Sequence, residues 1–77
     1  MNKVILRFCI VKNSEVFEAV FDRRLSFLEN FALLKTISSY GIDKHNRIID
    51  IDRHITLNKD VPLSSFDFPN FMTLYLF

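Results

Sequence analysis

Leu25-Ser26-Phe27-Leu28-Glu29-Asn30-Phe31-Ala32-Leu33-Leu34-Lys35-Thr36-Ile37-Ser38-Ser39-Tyr40-Gly41-Ile42 is the one long stretch of the chain with helical periodicity. Phe27, Phe31, Leu34 and Ile37, with Leu33 alongside, recur at spacings of three and four and predict one apolar face. Glu29, Lys35, Thr36 and Ser39 fall outside that face. Ser26 and Glu29 have the spacing of a capping box, in which each side chain serves the other residue's backbone N–H. Gly41, the single glycine of the chain, suits the left-handed position after a last turn, with Ile42 folding back on Ile37. Both ends of a helix are therefore written into this segment.

Strand patterns lie on both sides of it. Residues 4–11 place Val4, Leu6, Phe8 and Ile10 on one face and Ile5, Arg7, Cys9 and Val11 on the other. Burying Arg7 without a partner is costly, so the first set is expected inward. Residues 15–22 alternate in the same way, with Phe17, Ala19 and Phe21 on the core face. A two-residue turn at Asn13-Ser14 predicts Lys12 opposite Glu15, Ile10 opposite Phe17, Phe8 opposite Ala19 and Leu6 opposite Phe21. After the helix, Asp43-Lys44-His45-Asn46 reads as a polar loop. Residues 47–52 read as a third strand and residues 54–57 as a short fourth, joined near Asp52-Arg53. Residues 61–68 are too interrupted for a strand and predict a turn or 3₁₀ turn that drops Leu63, Phe66 or Phe68 into the core. Residues 71–77 close the chain as an apolar strand with Met72, Leu74 and Leu76 inward. Two strands, a helix, a strand, a short strand and a strand, with the first and last running parallel, form an α+β β-grasp: ββαββ(β), a mixed sheet with one helix packed on one face.

Composition agrees with a single domain over residues 1–77, since 77 residues leave no room for a second core. A chain of this size buries only ~60–65% of its unfolded surface. One cysteine and two histidines supply neither a disulfide nor a convincing structural zinc. Stability is expected from the core itself, and 49% hydrophobic residues with nine phenylalanines provide one. Ten basic against nine acidic residues leave a net charge of +1 without a basic stripe, which argues against nucleic acid as a partner. No apolar run approaches the ~20 residues of a membrane span. No signal-peptide pattern opens the chain, so a cytoplasmic location with reduced Cys9 is the expectation.

Leu28-Glu29-Asn30-Phe31 and Gly41-Ile42 at the helix ends, Arg47-Ile48-Ile49, Leu63-Ser64-Ser65-Phe66-Asp67-Phe68 and Thr73-Leu74-Tyr75-Leu76 together resemble the ubiquitin-like superfamily over nearly the full chain. Conjugated members and sulfur carriers of that superfamily finish in a mobile Gly-Gly tail. The present sequence finishes Leu76-Phe77, and the resemblance then implies a protein used neither for conjugation nor for sulfur transfer. Among tail-less bacterial types, the chain is similar to the YukD/EsaB group, small accessories of type VII secretion. The similarity covers its length, its apolar last strand and the Val20-Phe21-Asp22-Arg23-Arg24-Leu25-Ser26 lead into the helix. The function so implied is a non-conjugating protein–protein interaction module. The alternative is a self-associating small structural or regulatory subunit of mobile-element origin, which makes a homodimer.

The recognition patch of ubiquitin would fall on Ile49, Tyr75 and Phe77. Alternation predicts Tyr75 and Phe77 outward. It also predicts Ile49 and Ile51 buried and Asp50 exposed, because an unpaired carboxylate is costly inside. The candidate interaction residues for an unidentified protein partner are therefore Ile5, Arg7, Cys9, Val11, Tyr75 and Phe77, with Val16 and Val20 on the same face. No catalytic, cofactor or metal residue is expected. Cys9 has no adjacent base. His45, His54, Asp50 and Asp52 read as solvated side chains, and Arg23-Arg24 as a solubilising turn.

Overall fold

Strand β1 (Lys3–Ile10) and strand β2 (Glu15–Asp22) form the expected antiparallel hairpin. They belong to a computed structural model that describes residues 2–34 and 46–77. Val4, Leu6, Phe8 and Ile10 are buried, as alternation predicts. The register differs from the expected one by two residues. Ile10 faces Glu15, Phe8 faces Phe17, Leu6 faces Ala19 and Val4 faces Phe21, so the loop spans residues 11–14. A slip of two preserves every side chain's face, and the apolar pattern therefore cannot tell the two registers apart. Charge and aromatic pairing can. The observed register sets Arg7 against Glu18, with Nη2 2.7 Å from Oε2. It also stacks Phe8 on Phe17 with ring centroids 5.3 Å apart. The longer loop closes with Ser14 at φ 61° and the Glu15 N–H donating to Asn13 Oδ1.

Helix α1 is described over Phe27–Leu34. Its capping box is formed in both directions: the Glu29 N–H donates to Ser26 Oγ at 3.1 Å, and the Ser26 N–H donates to Glu29 Oε1 at 3.0 Å. Phe27 and Phe31 are buried, and Leu34 packs against the core. Leu33 does not join them and is 66% exposed, because it lies about 120° around the helix from Phe27. The inward position that Leu33 was expected to share belongs to Asn30, which is buried. Asn30 Oδ1 accepts the Asp22 N–H at 2.8 Å, while Nδ2 donates to the carbonyls of Asp22 and Ser26 at 3.0 and 2.9 Å. The expected closing turn at Gly41-Ile42, the positions Lys35, Thr36, Ile37 and Ser39, and the loop from Asp43 to His45 lie outside the described residues.

The remaining strands are β3 (Ile48–Asp50), β4 (Ile55–Leu57) and β5 (Phe71–Leu76), with a 3₁₀ turn over Leu63–Ser65. The sheet order is β2-β1-β5-β3-β4, and β5 runs parallel to β1 at its centre. This is the ubiquitin-like β-grasp topology, with the helix covering one face. Leu63 and Phe68 are buried and Phe66 packs on the core, as the sequence predicts. Strands β3 and β4 are shorter than expected, since residues 51–54 form a turn with His54 at φ 57°.

Burial along β3 is inverted relative to the expectation. Ile48 and Asp50 are buried at 0% and 1% exposure, Ile49 is half-buried and Ile51 is 42% exposed. Pairing decides this: Ile48 lies opposite Leu76, a core residue of β5, and Asp50 follows in the same phase. The turn makes burial of the carboxylate tolerable. Asp50 Oδ1 accepts the Arg53 N–H at 3.3 Å, and Oδ2 lies 3.5 Å from Arg53 Nε.

Candidate functional site

The sheet face away from the helix carries an apolar surface whose layout follows from the strand registers. Val16, Cys9, Tyr75 and Ile49 stand in line across β2, β1, β5 and β3. Val16 is 55% exposed, and the other three are half-buried. Val11 and Phe77 flank this row at one end, both exposed. The Val11 N–H continues the ladder to the Leu76 carbonyl, and Phe77 exchanges both backbone hydrogen bonds with Arg47 at 2.9 and 3.1 Å. Ile49, expected inside, instead extends the row because the phase of β3 is inverted.

The next row, Glu18-Arg7-Thr73, is polar. The Arg7 guanidinium is held by Glu18 and lies 5.2 Å from the centroid of the Phe71 ring. Beyond it Val20, Ile5 and Phe71 form a second apolar row. Arg7 thus divides the face in two. Of the six residues singled out from sequence, Cys9, Val11, Tyr75 and Phe77 cluster on one side, Arg7 is the divider, and Ile5 lies on the other side. Phe71, 45% exposed, was not singled out. Its odd-numbered phase with Tyr75 and Phe77 was the signal that could have found it.

Arg23 and Arg24 are structural rather than merely solubilising. Arg23 donates to the Phe68 carbonyl at 2.8 Å and to the Pro69 and Lys3 carbonyls at 3.2 Å, tying β1 to the chain before β5. Arg24 grips Asp22, donating from Nη2 to Oδ2 at 2.8 Å and from its backbone N–H to Oδ1 at 2.9 Å. These side-chain and backbone hydrogen bonds from Arg24 hold the Asp22 carboxyl well below its ordinary value of 3.8. A carboxyl lowered in the folded state contributes stability that is complete above its unfolded value and is lost as pH falls through the folded one. Asp22→Asn is therefore expected to destabilise the protein at pH 7, with the gap narrowing steadily below pH 3.8. Urea unfolding of both proteins at pH 7 and at low pH reads this directly, and a gap that persists unchanged in acid would contradict it.

Among the described residues, no group of three or more His, Cys, Asp and Glu is placed to hold a metal ion. Cys9 is a half-buried free thiol, His54 and Asp52 are exposed in the β3–β4 turn, and His45 lies outside the described residues. No helix among them is long and apolar enough to cross a membrane.

No family model and no curated protein matches the chain. Solved structures do. A chain from a structure described as molecular mimicry of SUMO promoting DNA repair superposes with a TM-score of 0.79 at 10% identity, covering 100% of this chain and 92% of that one. The UBL domain of Plasmodium falciparum Dsk2 gives 0.72 at 14% identity, covering 96% and 95%. A chain of the MycP5-free ESX-5 inner membrane complex in state II gives 0.68 at 12% identity, covering 100% of this chain and 21% of that one. At such identities the likeness is one of fold, and the fold is ubiquitin-like.

Proposed function

We propose that this protein is a ubiquitin-like interaction module that binds a protein partner through the open face of its sheet. The observation that carries the reading is the row Val16-Cys9-Tyr75-Ile49, flanked by Val11 and Phe77. A contiguous apolar set left on one face of a small domain, beside a fixed ion pair, has the anatomy of a binding surface: an apolar centre with a polar border. Arg7 and Glu18 supply that border and orient the partner. The setting we favour is accessory service to a type VII secretion apparatus. It is supported by the similarity of the segment from Val20 to Ser26 and of the apolar last strand to the YukD/EsaB group. The presence of this fold within a chain of the ESX-5 inner membrane complex is in keeping with it.

The test is a pair of substitutions on the row. Tyr75→Ser with Phe77→Ser is expected to leave the far-UV circular dichroism spectrum and melting profile close to wild type, because neither side chain is fully buried. It is also expected to weaken partner capture roughly thirtyfold, the effect of losing about 2 kcal/mol at an aromatic anchor. Capture that survives the double substitution would remove the face as the site. Light scattering over a range of concentrations separates a dedicated partner from a second copy of the same chain: a constant monomer mass excludes self-association. Co-purification with a secretion ATPase or a WXG-type substrate would place the module in its pathway.

A further inference from the structure

Strand β3 pairs with β5 through Ile48 and Ile49, opposite Leu76 and Tyr75, Arg47 continues the ladder to Phe77, and past Asp50 the chain turns away at residues 51–54. Its departure opens a cleft of about 400 Å³ lined by Asp50, Asp52, Arg53, Phe71 and Thr73, among others. The Ile5 N–H donates to the Asn70 carbonyl and the Val11 N–H to the Leu76 carbonyl. In a parallel ladder, alternate residues serve one neighbour. The even-numbered residues of β5 therefore serve β1, and the peptide groups of Phe71 and Thr73 are directed to the side that β3 has vacated.

At this cleft stands the carboxylate of Asp50, 1% exposed. Its Oδ1 is occupied by the Arg53 N–H. Its Oδ2 is buried and has no hydrogen-bond donor among the described residues. Arg53 Nε lies 3.5 Å from Oδ2 as an ion pair without hydrogen-bond geometry, and the Arg53 side chain is 48% exposed. A buried acceptor without a donor is an unmet demand in a low-dielectric setting. The cleft's charged groups are two carboxylates against one guanidinium, which favours a cationic donor over an anionic one. An arginine fork is a poor match, since it seeks both oxygens of a carboxylate and Oδ1 is already taken. A compact ammonium with three rotatable donors can satisfy a single oxygen, and Asp52 and Thr73 line the same cleft.

We propose that the cleft between the β3–β4 turn and the free edge of β5 receives a primary ammonium group, as carried by a lysine side chain of the bound partner. The assignment deepens the reading of the open face as a binding surface, on whose rim Phe71 and Thr73 lie. It names one chemical feature of the partner, a lysine placed beside its apolar contact. It can fail while that face still binds.

The ¹⁵N-labelled protein is titrated with Nα-acetyl-lysine methylamide and, in parallel, with the same compound acetylated at Nε, which removes the charge and keeps the length. Saturable shifts confined to the amides of residues 50–53 and 71–73 are expected from the first and not the second. Asp50→Asn keeps the shape of the carboxyl and is expected to weaken binding roughly tenfold or more, as for a lost charge-assisted hydrogen bond. Arg53→Met, which removes the competing cation, is expected to retain or strengthen it. Equal response to the two probes, or shifts scattered over the surface, would overturn the assignment with the wild-type protein alone. So would a folded Asp50→Asn variant that binds as wild type does.

Discussion

Phe8→Ala is expected to abolish or nearly abolish the folded state. Phe8 is fully buried in the central part of β1. Its ring meets Phe17 and Phe31 at 5.3 Å, Phe21 at 5.5 Å and Phe27 at 6.2 Å, between centroids. Two of these contacts, with Phe27 and Phe31, are edge-on, and they are among the ring contacts that join the helix to the sheet. Truncation removes the transfer free energy of the ring and leaves a cavity that four rigid neighbours cannot close, a loss of about 3–5 kcal/mol. A chain of 77 residues holds only about 4–12 kcal/mol in total, and no disulfide is available to compensate. Circular dichroism melts and urea titrations are the measurements. A Phe8→Ala protein melting within a few degrees of wild type would mean that the aromatic cluster is not the keystone of this core. Phe8→Leu, which keeps most of the volume, is expected to fold with a smaller loss.

Asn30→Ala is expected to cost about 3 kcal/mol, although it removes only a short polar side chain. The Asn30 amide joins the end of β2 to the start of α1, accepting the Asp22 N–H and donating to the carbonyls of Asp22, Leu25 and Ser26. Alanine leaves the Asp22 N–H without its acceptor and takes from each of the three carbonyls one of its two donors, in a site that is 4% exposed at Asn30. Asn30→Asp separates shape from hydrogen bonding. It retains an acceptor for the Asp22 N–H but turns a carboxylate toward carbonyl oxygens, so it is expected to be at least as damaging as alanine. Urea unfolding decides between these outcomes. A loss of about 0.5 kcal/mol or less for both variants, the size of a surface change, would show that the junction is held by packing alone.

Most of the architecture was legible because it rests on local patterns that have few alternatives. The capping box at Ser26 and Glu29, the alternation of β1 and the apolar phase of β5 each predict an observed feature. Topology followed, since a terminal apolar strand belongs beside another one. The failures share a cause. The hairpin register slipped by two because apolar alternation repeats every two residues, and only Arg7-Glu18 and Phe8-Phe17 distinguish the alternatives. Along β3 strand phase does not reveal the Arg53 N–H, which lowers the cost of burying Asp50. The role of Asn30 is not legible in its spacing, because a buried amide shows its purpose only when the groups around it are known. The candidate surface was legible in part for the same reasons. Tyr75, Phe77, Cys9 and Val11 follow from strand phase, as the outward position of Phe71 does, whereas Ile49 joins the row only through pairing across the sheet.

By itself, then, the sequence determined which segments become strand or helix, which face of each main strand is apolar, and that one helix must cover one side of a mixed sheet. These are consequences of periodicity and capping, which act over a few residues. Tertiary structure alone decided which residues stand opposite one another, and so that Val16, Cys9, Tyr75 and Ile49 form a row divided from Ile5 and Phe71 by Arg7. It also decided that Asp50 is held inside at the mouth of a cleft. The physical reason is that a strand's own pattern sets its phase only up to the partner it meets. The energy of a buried charge or amide depends on donors and acceptors brought from elsewhere in the chain.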